Sequence, residues 1–138
     1  MSDMKAMNEK IIEEFRANEG KVGGHLANAT LLLLHTTGAK SGKPRINPLV
    51  VIPDGDRIAV IASKGGAPTH PDWYHNLVAN PEVSVELGTE QFKAHAKPAP
   101  EPERTELFAK MVSINPDFGE YEKKVKRTIP VVVLTRRP

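Results

Sequence analysis

The chain of 138 residues contains no cysteine. That absence excludes a disulfide framework, thiolate catalysis and cysteine-ligated metals, and it agrees with a reducing compartment. Aromatics are scarce, with one tryptophan, two tyrosines and four phenylalanines. They form no interleaved platform on which nucleic-acid bases could stack. No apolar run reaches the ~18 residues of a membrane span; the longest, Ala29 to Leu34, is soon followed by the turn residues Thr36-Thr37-Gly38. The net charge is only +2, far from the basic excess of a polyanion binder. The N-terminus, MSDMKAMNEKIIEEF, mixes both charge signs with apolar residues and lacks a secretory core. A soluble cytoplasmic protein with no nucleic-acid partner and no metal is therefore expected.

What charge there is lies unevenly. Lys40, Lys43 and Arg45 crowd one turn, and Lys123, Lys124, Lys126 and Arg127 crowd a late segment. This points to a local anion site rather than a broad basic surface.

The length fits one domain, 1–138, with residues 1–28 as an N-terminal helix and linker. Met4, Met7, Ile11 and Phe15 recur at helical spacing across residues 3–18, and Glu19-Gly20 closes that helix. Residues 29–36 read as a buried strand. Ile46 to Pro53 and Arg57 to Ser63 read as a hairpin around Asp54-Gly55-Asp56. Pro71 suits the first turn of a helix that stops before Pro81. Val83 to Leu87 and Gln91 to Lys97 alternate as strands across Gly88-Thr89. Helices follow over about 102–114 and from Asp117, which can serve as a cap, and Ile129 to Thr135 is a last strand. Six short strands, mostly linked as hairpins and interrupted by helices, predict an α+β fold. Its core is an antiparallel barrel rather than a doubly wound sheet.

Two segments carry candidate chemistry. In TTGAKSGKPR, residues 36–45, two glycines permit main-chain turns that gather N–H groups as an anion nest. Lys40, Ser41 and Arg45 add two fixed charges and a hydroxyl, and arginine suits bidentate phosphate contact. The same composition also suits a solvated hairpin turn. The spacing is not that of a Walker loop. In SKGGAPTHPDWYHNL, residues 63–77, Ser63 ends a strand and Gly65-Gly66 lets main chain approach something flat. Trp73 and Asn76 lie three apart on the following helix, an indole beside an amide. A tryptophan packed on the barrel is the competing reading.

The histidines do not form a metal set: His70 and His75 are five apart, and His25, His35 and His95 fall in separate elements. Phe118 and Tyr121 share one face of a late helix, and a tyrosine over a cavity can donate a proton to a substrate oxygen. The basic run after Tyr121 reads as a solvated helix face.

Three stretches, LLLLHTTGAKSGKPRINPLVV, IASKGGAPTHPDWYHNLVANPEVSVELG and RTIPVVVL, occur in unbroken order from Thr30 to Leu134. In them the chain resembles the deazaflavin-dependent nitroreductase family, whose reductant is coenzyme F-420. The resemblance implies a split β-barrel, FMN-binding-like in architecture. It places the coenzyme's phosphate at Ala39, Lys40, Ser41 and Arg45, beside a strand of Ile46, Asn47, Pro48, Leu49 and Val50. The deazaflavin ring is expected along Ile61, Ala62, Ser63, Lys64, Gly65 and Gly66, closed by a helix carrying Asp72, Trp73, Tyr74, His75 and Asn76. Ser63 and Tyr121 become the catalytic candidates, with Tyr121 the proton donor, and Phe118 and Tyr121 the substrate pocket.

The implied acceptors are small electron-poor molecules: quinones, enones or unsaturated lactones, and nitroaromatics. The family's nitro-reducing member resembles this chain with a tyrosine three residues before the Tyr121 position. Phe118 stands there and cannot donate a proton, so efficient nitroimidazole reduction is not expected. Two alternatives stay open at this point: an FMN-dependent reductase of the same barrel, and a non-catalytic deazaflavin carrier or sensor. Split barrels often pair, so a homodimer is admitted by analogy. The N-terminal stripe could either touch a membrane, as in some relatives, or cover the barrel.

Overall fold

A computed structural model describes residues 2–20, 30–54, 57–63 and 69–137. Its elements are α1 (Ser2–Ala17), β1 (Leu31–Thr37), β2 (Pro44–Asp54), β3 (Arg57–Ile61), α2 (Asp72–Ala79), β4 (Glu82–Leu87), β5 (Glu90–Pro98), α3 (Glu103–Ile114), α4 (Asp117–Lys124) and β6 (Val131–Arg136). The strands close into an antiparallel barrel in the order β1-β2-β3-β6-β5-β4. The expected six-stranded antiparallel barrel with peripheral helices is what the chain forms.

The period-2 alternation of the strands sorts their side chains into an interior and an outer surface. Leu32, Leu34, Val51, Val60, Val83, Val85, Val132 and Leu134 fill the barrel, and Trp73 and Leu77 of α2 join the same cluster. On the outer surface, Ile52, Ala59, Ile61, Val131 and Val133 pack beneath Leu107, Phe108 and Met111 of α3 and Phe118 of α4. Leu31 and Leu33 pack with Phe15 of α1, flanked by Ile11, Ile12, Ile46 and Val50. β1 thus reads as an unbroken apolar run because both of its faces are covered. Each such leucine contributes about 1.5–3 kcal/mol by leaving water. For Ile11 and Phe15 the N-terminal stripe covers the barrel; the Met4 and Met7 side chains lie outside the described residues.

Boundaries depart from expectation at informative places. β2 begins at Pro44, earlier than Ile46. Its first half pairs with β1 and its second half with β3, so Pro44 and Pro48 sit where one partner strand suffices despite their missing N–H. Pro71 immediately precedes α2 in an extended conformation, and Asn80 closes that helix before Pro81. Asp117 is not the cap of α4. Pro116 holds that position, and the Asp117 N–H donates to Asn115 Oδ1 at 3.1 Å. The cap residue itself makes no side-chain bond, and Asn115, two residues before Asp117, supplies that acceptor instead.

At the end of α1, Glu19 and Gly20 adopt positive φ, and the Gly20 N–H donates to the Phe15 carbonyl. Gly20 touches the β4–β5 turn so closely that a Cβ on it would lie 2.7 Å from Gly88 Cα. No helix among the described residues is long and apolar enough to cross a membrane.

Candidate functional site

A cleft of about 600 Å³ opens where the β1–β2 turn meets α2, lined by Gly38, Ala39, Lys40, Ser41, Arg45, Asp72, His75 and Asn76. Two segments distant in sequence, 38–45 and 72–76, each singled out from composition, form its two walls. Gly38, one of the two glycines of the expected nest, also lines the cleft; a Cβ there would collide with Ser41 Oγ.

The turn is built by its own main chain. The Gly38 N–H donates to Lys43 O at 2.8 Å, and the Gly42 N–H to Gly38 O at 2.9 Å. Gly42 takes φ +69°, a conformation that glycine adopts without steric cost. The Lys43 N–H donates to Ser41 Oγ at 3.2 Å. Lys40, Ser41 and Arg45 are all exposed. Among the described residues Arg45 Nη1 donates to the neighbouring Pro44 carbonyl, at 3.3 Å.

The second wall is fixed to the first by Asn76, which is buried. Its Oδ1 accepts from the Ala39 N–H at 2.9 Å, and its Nδ2 donates to Thr36 Oγ1 at 3.3 Å. Both ends of the amide have protein partners, so Asn76 shapes the turn that carries Lys40 and Ser41. Trp73 is 6% exposed and belongs to the barrel's interior cluster, as the packing reading of this residue had it. Its indole closes the barrel beneath the cleft.

The acids of β4 are engaged on the barrel's outer surface. Glu86 accepts from Arg16 Nε and Nη2 at 3.1 and 2.8 Å and also contacts His35. The Arg16 hydrogen bond, opposed by burial, holds this carboxyl below the usual range. Four residues earlier on β4, Glu82 accepts twice from Arg137 at 2.8 Å and contacts His95. Hydrogen bonds from Arg137 first, and His95 next, bring its pKa to about 2. Among the described residues no carboxylate forms a salt bridge with Lys40 or Arg45. Asp72 lines the same cleft and sets one negative charge against these two cations. An anion with hydroxyl-bearing neighbours suits this wall.

The remaining expected residues are spread more widely. Ile61 and Ala62 are buried in the outer and inner cores, and Ser63 is a buried polar residue at the exit of β3. Of the β2 stretch, Ile46 and Val50 pack toward α1, and Leu49 packs against the barrel interior. Asn47 and Pro48 pair with Leu34 and Leu33 of β1. Tyr74 is half-buried, its ring 4.9 Å from that of His70 and 5.9 Å from that of His75. Lys64, Gly65 and Gly66 lie outside the described residues.

Phe118 and Tyr121 do not line the cleft. They meet edge to face at 5.4 Å and pack in the cluster over β2, β3 and β6. No group of three or more His, Asp or Glu suited to a metal occurs among the described residues.

One basic residue is misread by its neighbourhood in sequence. Arg127 is not part of a solvated helix face: it follows α4 and is half-buried. Its Nη1 donates to Ala62 O at 3.2 Å and contacts His70 Nδ1 at 2.7 Å, while Nη2 donates to Ser63 O at 2.9 Å. The lysines before it concealed a guanidinium that reaches main-chain carbonyls.

Comparison with known proteins identifies relatives of the whole chain. A family model described as F420H(2)-dependent quinone reductase matches residues 8–136. An F420H(2)-dependent quinone reductase of Mycobacterium tuberculosis (strain ATCC 25618 / H37Rv) is 42% identical over 127 residues, covering 89% of this chain and 85% of that protein. A solved structure described as an F420-H2 dependent reductase is 40% identical. It superposes with a TM-score of 0.71 over 81% of this chain and 99% of the other. Another, described as a domain-swapped dimer, is 36% identical with a TM-score of 0.72, covering 91% and 96% of the two chains.

Proposed function

The chain belongs to the F420H(2)-dependent quinone reductase family, and on that footing we propose that it moves a hydride from reduced coenzyme F-420 to a small electron-poor acceptor. It is an oxidoreductase whose coenzyme is F-420. Quinones are the first acceptor class; activated enones and unsaturated lactones share the electron-poor carbon that a hydride seeks. Phe118 in place of a tyrosine argues against efficient reduction of nitroimidazoles. The observation that carries the reading is the cleft, in which Lys40, Ser41 and Arg45 stand exposed on a turn that Asn76 holds against α2.

The residues present suit an anionic ligand with a planar head. Lys40 and Arg45 would hold the phosphate, with Ser41 Oγ as a further polar contact. Each charge-assisted hydrogen bond there is worth roughly 1.5–3 kcal/mol. The main chain from Ile61 to Ser63, with Tyr74 and His75 on the α2 side, would hold the ring. When bound, the reduced deazaflavin supplies a hydride and no stable single electron. The chain's own task is to orient and to shield, keeping donor and acceptor carbons together and water away. Ser63 would support the ring by a polar contact. Tyr121, the proton donor that the resemblance implies, packs with Phe118 outside this cleft, so its Oη would reach the acceptor oxygen only if the acceptor sits toward α4. The solved relative described as a domain-swapped dimer supports a homodimer as the assembly.

The test is a titration of purified protein with deazaflavin and FMN side by side, followed by turnover of reduced coenzyme with menadione. Tight deazaflavin binding with quinone-dependent oxidation is expected. A preference for FMN would defeat the reading, and binding without turnover would leave a carrier instead of an enzyme.

A further inference from the structure

Three acceptors from two places in the chain converge on Arg127. The carbonyls of Ala62 and Ser63 stand at the exit of β3, and His70 Nδ1 stands just before α2. On its other side the Ala62 N–H donates to Pro130 O at 2.9 Å, so this piece of main chain is held from both flanks. A guanidinium can only donate. The contact with His70 therefore requires a bare Nδ1, which fixes the imidazole as the Nε2–H tautomer. The His70 ring in turn lies 4.9 Å from the Tyr74 ring and 5.8 Å from that of His75, a residue of the cleft wall.

We infer that Arg127 is a positioning residue for the coenzyme site. It holds the Ala62–Ser63 main chain in place and, through His70, sets the rings of Tyr74 and His75 beside the cleft. The inference rests on the reading that this cleft takes the deazaflavin. Arginine is required because its planar fork can address three acceptors at once, whereas a lysine ammonium is a compact point charge on a flexible stem. Arg127 is partly buried, and these hydrogen bonds offset the desolvation of its guanidinium.

The experiment compares Arg127→Lys and Arg127→Met with wild type by deazaflavin titration, thermal melting and 15N spectra of the histidines. Arg127→Lys should melt near wild type yet bind oxidised deazaflavin about tenfold more weakly, having lost its forked hydrogen bonds. It should raise the KM for reduced coenzyme more than it lowers kcat. His70 should show a fixed Nε2–H tautomer in wild type and a mixture in both variants. Wild-type affinity in Arg127→Lys, or affinity losses that merely track melting temperature across both variants, would overturn the positioning role. Failure of wild type itself to bind deazaflavin would sink the coenzyme reading first, and this inference with it.

Discussion

Asn76 holds Ala39 across 37 positions of sequence: the Ala39 amide donates to Asn76 Oδ1 at 2.9 Å. The same side chain reaches Thr36 Oγ1 through Nδ2. One buried amide thereby fixes the spacing between the basic turn and α2, and the two cations of the cleft inherit their placement from it.

Replacing Asn76 by leucine should be costly twice over. The buried Thr36 hydroxyl would lose its partner at about 1–3 kcal/mol, while the Ala39 N–H, on an exposed residue, can turn to water at a smaller cost. Asn76→Asp keeps an acceptor for Ala39 and should lose less. Urea unfolding measures the first effect and deazaflavin titration the second. A leucine variant with unchanged coenzyme affinity would show that the turn holds its shape without the amide.

Arg45→Ala separates binding from stability. The side chain is exposed and, among the described residues, donates only to the adjacent carbonyl, so melting should shift by no more than the equivalent of about 0.5 kcal/mol. Coenzyme affinity should fall roughly tenfold or more with the loss of a charge-assisted hydrogen bond. The remaining binding should also depend less steeply on salt. Equal affinity would remove Arg45 from the phosphate site.

Acid should loosen the fold in two separate windows. Burial first, then the charges of Arg127 and His75, lower the His70 pKa from its ordinary 6.5. The native state therefore prefers the neutral ring, and the unfolded chain takes up the proton earlier. Stability from this source is complete above 6.5 and is lost as pH falls through the lower native pKa. Glu82, brought to about 2 by Arg137 and His95, contributes stability that is complete above 4.5 and lost as pH falls toward 2. Urea midpoints across this range should show a first decline that His70→Gln removes and a second, shared with Glu86, that Glu82→Gln reduces. A single decline below 4.5 would show that His70 has no part in it.

Tyr121→Phe tests the proton donor. The ring packs against Phe118 and the α3–α4 cluster, and phenylalanine keeps that contact, so folding and coenzyme affinity should hold. Quinone turnover should slow by roughly a hundredfold if the phenol acts as general acid. An undiminished rate would assign the proton to water or to another group.

The strands were legible because they obey simple rules. VSVEL in β4 alternates, glycine and proline punctuate the hairpins, and the leucine run of β1 announces a strand covered on both faces. The cleft's two walls were legible as separate segments, since glycine with lysine and arginine, or tryptophan with asparagine, is informative within a few residues. How the walls are joined was not legible. The direction in which α2 points Asn76 depends on Trp73 and Leu77 entering the barrel, a tertiary fact that helical spacing alone does not contain. Arg127 was hidden for a related reason. Its partners include two main-chain carbonyls 65 and 64 residues away, and carbonyls leave no mark in a sequence.

The contact of Gly20 with Gly88 bears on how this barrel could be re-engineered. The leading helix arrives at the hairpin tip by bare backbone against bare backbone, with no room for even a methyl group. A transplanted helix from another protein would therefore seat here only if it ended in a glycine at the same offset. Any other terminal residue would pry the graft off the tip and leave Leu31 and Leu33 open to water.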